Sequence, residues 1–193
     1  MAELCHTEYA LQKKKHLENS LLNLMLLRQY NEISVTDICR EAGIPRRTFY
    51  HYYESKDDVL NSIIEEMMQQ CFLGVMFRLR SGMDKESFAR IFRFWEGDNR
   101  VKLNALIQNG LESRLMSWSL QFIRTEKLGL LSDSGMEPKL MEIGLMVGIT
   151  SFFSLLFYWS RGNYQETPDQ MAEYAVQMLP RAFSNLIIHR KNV

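Results

Sequence analysis

The sequence contains few of the residues that interrupt helices or cross-link a chain. Among its 193 residues there are ten glycines, four prolines and three cysteines, and basic and acidic residues balance at 23 each. The cysteines, Cys5, Cys39 and Cys71, form no C-x-x-C pair, which argues against a disulfide framework and a structural zinc site and fits a reducing cytoplasm. With a net charge of zero, no overall field draws the molecule to nucleic acid or to an anionic membrane. Any such partner must therefore be bound by a local patch.

The residues that are abundant favour an all-α fold of about nine helices. Leucine and methionine outnumber the β-branched residues, and apolar positions recur at helical spacing along nearly the whole chain. The predicted helices cover residues 7–29, 36–42, 45–53, 55–80, 99–109, 112–127, 138–161 and 168–188, with one more around Phe88 and Trp95.

Local signals mark the ends of the first helices. Thr36 is placed to cap the second helix, and Gly43 ends it at a position suited to a positive φ angle. Pro45 begins the next helix, where its missing N–H would have had no partner. Ser55 and Asp58 form a capping-box-like start for the long helix that follows.

The last predicted helix begins at a strong signal and contains a proline. Thr167, Pro168 and Gln170 combine a capping threonine, a proline at the first helical position and a glutamine at the third. Pro180 predicts a kink, since apolar residues keep their helical spacing on both sides of it. The longest loop is predicted over residues 129–135.

One apolar run raises the question of a membrane. Residues 143–160 are uncharged and just long enough to span a bilayer. The run contains six glycine, serine or threonine residues and has no flanking cluster of positive charge, so we expect a buried helix and no membrane partner. The alternative is a helical membrane-anchored or scaffolding protein that uses this segment.

The segment over residues 36–56 carries the chemistry. A short helix, a turn with glycine and a second short helix are typical of the helix-turn-helix motif, in which the second helix enters the major groove of DNA. Phe49 and Tyr53 are placed to turn inward, and no acidic residue lies between positions 44 and 53. The outward side chains offer donors for phosphates and base edges, and Lys56 lies at the start of the next helix, where an ammonium suits a phosphate. The predicted DNA-binding residues are Thr36, Arg46, Arg47, Thr48, Tyr50, His51, Tyr52 and Lys56.

At these residues the sequence resembles the tetracycline-repressor (TetR) family of bacterial regulators. The resemblance rests on Val35-Thr36-x-Ile38, Ala42-Gly43, Thr48-Phe49-Tyr50-His51-Tyr52-Tyr53 and Lys56. It implies that Thr48, Tyr50, Tyr52 and Lys56 contact DNA and that Arg46, Arg47 and His51 distinguish one operator from another. Pro45 stands where the family often has a capping serine, and Tyr30-Asn31 replaces a common glycine. The stretch from Trp159 to Met171 resembles a subgroup common in Firmicutes.

The resemblance also implies an architecture and partners. It predicts a helix-turn-helix domain over residues 1–54, a dimerisation and effector-sensing domain over residues 55–193, and a cytoplasmic homodimer that binds a palindromic double-stranded DNA operator. Repression is favoured, and activation is left open. The predicted dimer interface, on the two last long helices, contains Gly144, Gly148, Phe152, Leu155, Tyr174 and Met178. Core packing is the favoured interpretation of Trp95, Trp118, Phe122 and Met146, and a pocket for an apolar small-molecule effector at these residues is the alternative that the resemblance implies.

The sequence contains little that points to catalysis. Glu3 and His6 have the spacing of half a di-iron motif, but the second copy that such a site needs does not occur. H-E-x-x-H, G-x-S-x-G and glycine-rich phosphate-loop motifs are also absent from the sequence. We therefore expect a protein that is not an enzyme and that has no metal or cofactor.

Overall fold

The computed structural model describes residues 2–79, 84–125 and 137–179, and within these ranges the chain is all helical, as predicted. A short 3-10 turn, Tyr30–Glu32, follows the first helix. The helices are α1 Ala2–Leu27, α2 Val35–Ala42, α3 Arg46–Tyr52, α4 Lys56–Leu79, α5 Lys85–Glu96, α6 Asn99–Gln108, α7 Glu112–Thr125, α8 Pro138–Arg161 and α9 Pro168–Met178.

The chain divides into two compact units, and each unit is built from two separate stretches of the sequence. The first unit contains Met1–Glu66 together with Ala105–Leu111, and the second contains Met67–Asn104 and Glu112–Val193. The division differs from a boundary at residue 54, because the first half of α4 packs with the N-terminal helices. The functional boundary between residues 54 and 55 stays a prediction.

The core of the first unit holds α1 to α4 together. Apolar side chains from all four helices are fully excluded from solvent. They include Leu17 and Leu21 of α1, Ile38 of α2, Phe49 of α3, and Val59 and Leu60 of α4. Phe49 therefore turns inward as predicted, and burial of this side chain fixes which face of α3 points to solvent.

The start of α2 differs from the prediction. Ser34, not Thr36, is the N-cap: its side chain accepts a hydrogen bond from the Asp37 amide, and the Ser34 amide donates one to the Asp37 carboxylate. Ser34 is the cap because Asp37 lies three residues after it, as the reciprocal capping box requires. Thr36 is instead exposed in the first turn. Gly43 ends α2 with a φ of 61°, as predicted.

The start of α3 differs by one residue. Pro45 has extended backbone angles (φ −61°, ψ 145°), so it is the N-cap and the helix begins at Arg46. Ser55 and Asp58 form the predicted reciprocal bonds before α4: the Ser55 amide donates to the Asp58 carboxylate at 2.8 Å, and the Asp58 amide donates to the Ser55 hydroxyl at 3.3 Å.

The cap of α2 also predicts a dependence of stability on pH. Hydrogen bonds from the Ser34 hydroxyl and amide, with Arg28 3.3 Å away, hold the pKa of the Asp37 carboxyl well below its usual range. A lowered pKa in the folded state stabilises the protein above the pKa of the unfolded chain, and this stabilisation is lost as the pH falls. We expect Asp37→Asn to lower the urea midpoint of unfolding at pH 7. The gap between the midpoints of the variant and the wild type should narrow below about pH 5. A gap that is absent at pH 7, or that widens in acid, would contradict this assignment.

In the second unit, α5 and α9 pack closely against each other. Phe88, Phe92 and Trp95 of α5 and Met171 and Ala175 of α9 are buried. At the edge of this contact, Lys85 pairs with Glu173 and Arg93 pairs with Asp169 at 2.9 Å. Cys71 of α4 is also buried in this unit, and burial raises the pKa of its thiol to about 12. The thiol is therefore protonated at neutral pH and is unsuited to disulfide exchange.

The turn between α8 and α9 has an unusual backbone. Asn163 and Tyr164 both have positive φ angles, at 56° and 58°, which costs energy for residues other than glycine. Contacts of Tyr164 hold the turn: its hydroxyl donates to the Asn104 side chain at 2.9 Å, and its ring lies 4.2 Å from the Arg100 guanidinium. The Trp159 ring packs edge-on against Tyr164.

The last described helix ends earlier than predicted. The capping box of Thr167 and Gln170 is present as expected, but α9 ends at Met178, and Leu179 has extended angles (φ −68°, ψ 134°). The predicted continuation through a kink is wrong at this point, because the ring of Pro180 disfavours helical angles at the residue before it. The remainder of the predicted helix, from residue 180, and the loop predicted over residues 129–135 lie outside the described residues.

Helix α8 contains the apolar run. Within the described residues it is the one helix that meets the length and composition of a membrane span, over Glu142–Arg161, and 44% of this window is buried inside the protein. A core helix of a soluble protein passes the same test. Burial on one side favours the predicted packed helix.

Candidate DNA-binding surface

The solvent-facing side of α3 presents the predicted set of donors. Arg46, Arg47, Tyr50 and His51 are exposed, while Thr48 and Tyr52 are half-buried. The helix contains no acidic residue. Exposed basic and aromatic side chains on one short helix match the residue types that contact phosphates and base edges.

The two arginines of α3 have different surroundings. The Arg46 guanidinium donates to the Tyr50 hydroxyl at 3.1 Å and lies 5.7 Å from the centre of the Tyr50 ring. Arg47 is exposed and makes no hydrogen bond or ion pair to the residues that the structure describes. Arg46 is thus held along its own helix, whereas Arg47 extends into solvent with all its donors available.

Lys56 is more deeply involved in the fold than the sequence indicated. Its ammonium donates to the backbone carbonyls of Tyr30 and Ile33, each at 2.8 Å, and lies 4.4 Å from the centre of the Tyr30 ring. These bonds tie the start of α4 to the 3-10 turn after α1. Contact with a phosphate stays a prediction for Lys56, and the structure adds a role in holding the first unit together.

We expect Lys56→Ala to destabilise the protein by about 1–3 kcal/mol, since the partly buried Ile33 carbonyl loses the Lys56 ammonium and the Tyr30 carbonyl keeps the bond from the Ile33 amide but loses its charged donor. Urea unfolding followed by circular dichroism measures this cost. Lys85→Ala is the matched control, because Lys85 makes an ion pair with Glu173 that is exposed to solvent and therefore contributes little to stability. Equal effects of the two substitutions would remove the structural role that we assign to Lys56.

Sequence reasoning missed a buried polar network behind α3. Glu18 of α1 is only 5% exposed, and its carboxylate accepts hydrogen bonds from the Tyr53 hydroxyl at 2.9 Å and the Ser62 hydroxyl at 2.8 Å. The only signal was an acidic residue between the apolar positions Leu17 and Leu21. Periodicity alone gives such a residue no partner.

Sequence reasoning also missed a contribution from later in the chain. Asn109, just after α6, accepts a hydrogen bond from the Tyr30 amide at 2.5 Å and donates one to the Met25 carbonyl at 3.0 Å. These bonds satisfy backbone groups where α1 ends. No feature of the sequence connects residue 109 with residues 25 and 30.

The predicted effector residues fall into separate surroundings. Trp118 and Phe122 stack 5.0 Å apart on α7. Trp95 is fully buried on α5, and Met146 is half-buried on α8. An open depression of about 490 Å³ lies instead along α1 in the first unit and includes Lys15 and His16. An effector site at the predicted residues stays a prediction.

The predicted dimer residues are also divided. Tyr174 and Met178 of α9 are exposed. On α8, Gly148 is buried within its own unit and Gly144 and Leu155 are half-buried. Phe152, also half-buried, packs 5.5 Å from the Phe92 ring of α5. The exposed apolar stripe of α8 lies on a different face, formed by Leu140, Ile143, Val147 and Tyr158.

Among the residues with described positions, no group of three or more histidine, cysteine or acidic side chains is placed to hold a metal ion. The side chains suited to contact with DNA lie on α3, and the residues packed behind α3 hold it in place. A short helix, a glycine turn and a second helix with exposed arginines and tyrosines define the class of helix-turn-helix proteins.

Comparison with known proteins finds relatives of the helix-turn-helix segment. The model of bacterial regulatory proteins of the tetR family matches residues 21–63. The transcriptional regulator EthR of Mycolicibacterium smegmatis is 41% identical over 51 residues, which cover 26% of this chain and 24% of that protein. DhaS of Lactococcus lactis, a transcriptional activator of the dhaKLM operon, is 36% identical over 52 residues, or 27% of this chain and 28% of that protein. The matches thus span about a quarter of the length of these relatives.

Solved structures share the fold over most of the chain. A TetR transcriptional regulator from Streptococcus agalactiae superposes with a TM-score of 0.62 at 18% identity and covers 93% of this chain and 99% of that one. A tetR-family regulator from Streptomyces coelicolor gives a TM-score of 0.56 at 19% identity and covers 86% of this chain and 77% of that one. Over residues 21–63 the chain is thus similar to the tetR family of bacterial regulatory proteins, and over most of its length it shares the fold of these two solved structures.

Proposed function

We propose that this protein is a cytoplasmic transcription regulator that binds a palindromic DNA operator as a homodimer and reads it with α3. The observation that carries the proposal is the exposed, acid-free surface of α3, which is held on a buried core by Phe49. The helix-turn-helix match to EthR and DhaS supports it. The proposal is a binding function and includes no catalytic step.

The second unit supports the homodimer. Leu140, Ile143, Val147 and Tyr158 lie on one face of α8 and are about half exposed or more. An apolar stripe of this length on a soluble protein is typical of a surface that a partner covers. A second copy is the occupant we propose, since a two-fold pair of α8 and α9 would bury the stripe twice and present two copies of α3 to the two halves of a palindrome.

The face of α8 in this proposal differs from the predicted one. Tyr174 and Met178 of α9 are exposed, and they belong both to the interface predicted from the sequence and to the one that we propose. Gly144 and Gly148 would face the partner only if α8 turned away from its own unit. A close crossing at these two glycines therefore stays a separate prediction, which the substitutions in the Discussion distinguish from ours.

The test is DNase footprinting of the full chain on the DNA flanking its own gene, with scrambled duplex of equal composition as competitor. We expect protection of two half-sites whose centres lie about one helical turn apart, or a small multiple of it. Protection that scrambled competitor removes as readily as specific DNA would contradict sequence-specific binding. The position of the site relative to the promoter separates repression from activation.

A further inference from the structure

The C-terminal end of α3 is held by a hydrogen bond from the side chain of Tyr53. Tyr53 directly follows the helix, and its amide donates to the Phe49 carbonyl at 3.0 Å. Its side chain is 6% exposed, and its hydroxyl donates to the Glu18 carboxylate at 2.9 Å. The last residue of the recognition segment is thereby linked to α1.

Three donors from three parts of the fold meet at Glu18. Besides the Tyr53 hydroxyl, the carboxylate accepts from the Ser62 hydroxyl of α4 at 2.8 Å and from the Lys15 ammonium of α1 at 3.1 Å. The Lys15 ammonium also pairs with Glu66 of α4. A buried carboxylate without such partners would be strongly destabilising. The network is therefore held together by the charge at its centre.

We propose that Tyr53 is a positioning residue, whose hydroxyl bond to Glu18 sets the orientation of α3 against α1 and α4 and so determines selectivity among DNA sequences more than affinity for DNA in general. The inference rests on the proposed DNA-binding function. Tyr53 is predicted to touch no base, and it acts through the helix that it ends.

The reason is the difference between apolar packing and a hydrogen bond. The other anchors of α3, Phe49 and Ile44, are apolar, and apolar burial is non-directional, so it permits a small rotation of the helix. A hydrogen bond to a charged acceptor is directional and weakens steeply when it is misaligned. Readout of base edges needs donors that are placed within about 0.5 Å, whereas phosphate contacts tolerate more.

The state of the hydroxyl fits this role. Burial raises the pKa of Tyr53 above its ordinary value, so the hydroxyl keeps the proton that it donates. The Ser62 hydroxyl also donates its one proton to Glu18, so the two hydroxyls act as parallel donors to one oxygen. Lys14, which is half-buried, lies 5.5 Å from the centre of the Tyr53 ring.

The experiment compares Tyr53→Phe with Tyr30→Phe. Tyr30 is buried in the same unit, and its hydroxyl also bonds to a carboxylate, Asp57 at 3.1 Å, but this bond does not involve α3. A duplex is first selected from a random pool with the wild-type chain. The dissociation constants of the selected duplex and of a scrambled duplex are then measured for each variant, at a temperature where circular dichroism shows each to be folded.

We expect Tyr53→Phe to weaken binding of the selected duplex about tenfold and of the scrambled duplex less than about twofold. Tyr30→Phe should lower the melting temperature by a similar amount and leave the ratio of the two constants unchanged. Glu18→Gln, which replaces the charged acceptor by a neutral one, should also reduce the preference for the selected duplex. Combining it with Tyr53→Phe should add little, since both changes act on the same hydrogen bond.

The inference is overturned if Tyr53→Phe leaves the ratio of the two dissociation constants unchanged, or if Tyr30→Phe changes this ratio equally. Either result would leave the proposed function intact. If the wild-type chain enriches no duplex, the proposed function itself fails and the inference fails with it. Should Tyr53→Phe not fold, Ser62→Ala removes the other hydroxyl donor and leaves Tyr53 in place. A preference for the selected duplex that is about two- to fivefold smaller in Ser62→Ala would then support the role of the hydrogen-bond network. An unchanged preference would overturn it.

Discussion

A chain carrying Ile143→Glu and Val147→Glu is expected to sediment as a monomer at micromolar concentration and to bind its operator about 100-fold more weakly or worse. Both side chains lie on the exposed stripe of α8. Two carboxylates there would be buried without partners in a dimer, and the two-fold axis would place each of them twice. Without the tether between two copies of α3, each half-site is bound alone and the gain from linkage is lost. Analytical ultracentrifugation and gel-shift titration measure the two effects.

Matched substitutions separate this interface from general damage. Val101→Glu changes an exposed valine in the same unit that belongs to α6, not to α8 or α9, and should remain dimeric with wild-type DNA affinity. Gly148→Leu tests the face predicted from sequence. Because Gly148 is buried in its own unit, we expect it to lower the melting temperature through overpacking at a site where dimers still form. A dimeric Ile143→Glu, Val147→Glu variant beside a monomeric Gly148→Leu variant would move the interface to the glycine face.

Replacing Arg47 by alanine is expected to cost about 1–3 kcal/mol in operator binding, or about 5- to 150-fold, and to relax the preference at one base pair of each half-site. Arg47 is the arginine of α3 whose guanidinium extends into solvent without a described partner. A bidentate contact to guanine explains why a single change at the protein alters a single position of the DNA. Arg47→Lys, which keeps the charge and loses the planar fork, should relax the same position with less loss of affinity. Selection of duplexes from a pool randomised over one half-site measures the preference.

Arg46→Ala provides the comparison within the same helix. Since Tyr50 already holds this guanidinium along the helix, we expect a smaller loss, similar for all sequences and accompanied by a salt dependence whose slope falls by about one. Loss of affinity without a change in base preference for Arg47→Ala would make it a phosphate contact. A change in preference for Arg46→Ala would exchange the two roles.

The sequence predicted the helix-turn-helix well because its signals are local. Gly43 is needed for a positive φ angle, Ser55 and Asp58 bond across three residues, and Phe49 follows from helical spacing. Each of these depends on neighbours within one or two turns. The same reasoning failed at Thr36 and Leu179, where two local preferences compete. At Leu179 the steric effect of the following proline outweighed the apolar periodicity.

What the sequence did not predict depends on contacts between distant residues. Glu18 receives two of its three donors from positions 35 and 44 residues away, and Asn109 reaches Tyr30 across 79 residues. The solvent-facing side of α8 could not be identified either, because the helix is apolar nearly all round and the stripe that is covered depends on how other helices, α7 and α9 among them, pack against it. Periodicity predicts that such a helix is buried, and it does not predict on which side.

The discontinuity of the first unit has a consequence for how the protein is made. On the ribosome, the helices up to α4 emerge before residues 105–111 have been synthesised. The Tyr30 amide and the Met25 carbonyl therefore have no bond to Asn109 until more than 70 further residues have been added. Domains generally fold as units during synthesis, and here the unit that contains α3 is complete only when more than half of the chain exists. A nascent chain that has exposed α3 but not residue 109 therefore lacks the partner of the Tyr30 amide and of the Met25 carbonyl where α1 ends. We expect a product that ends before residue 109 to be less stable in the unit that contains α3 than the full chain is.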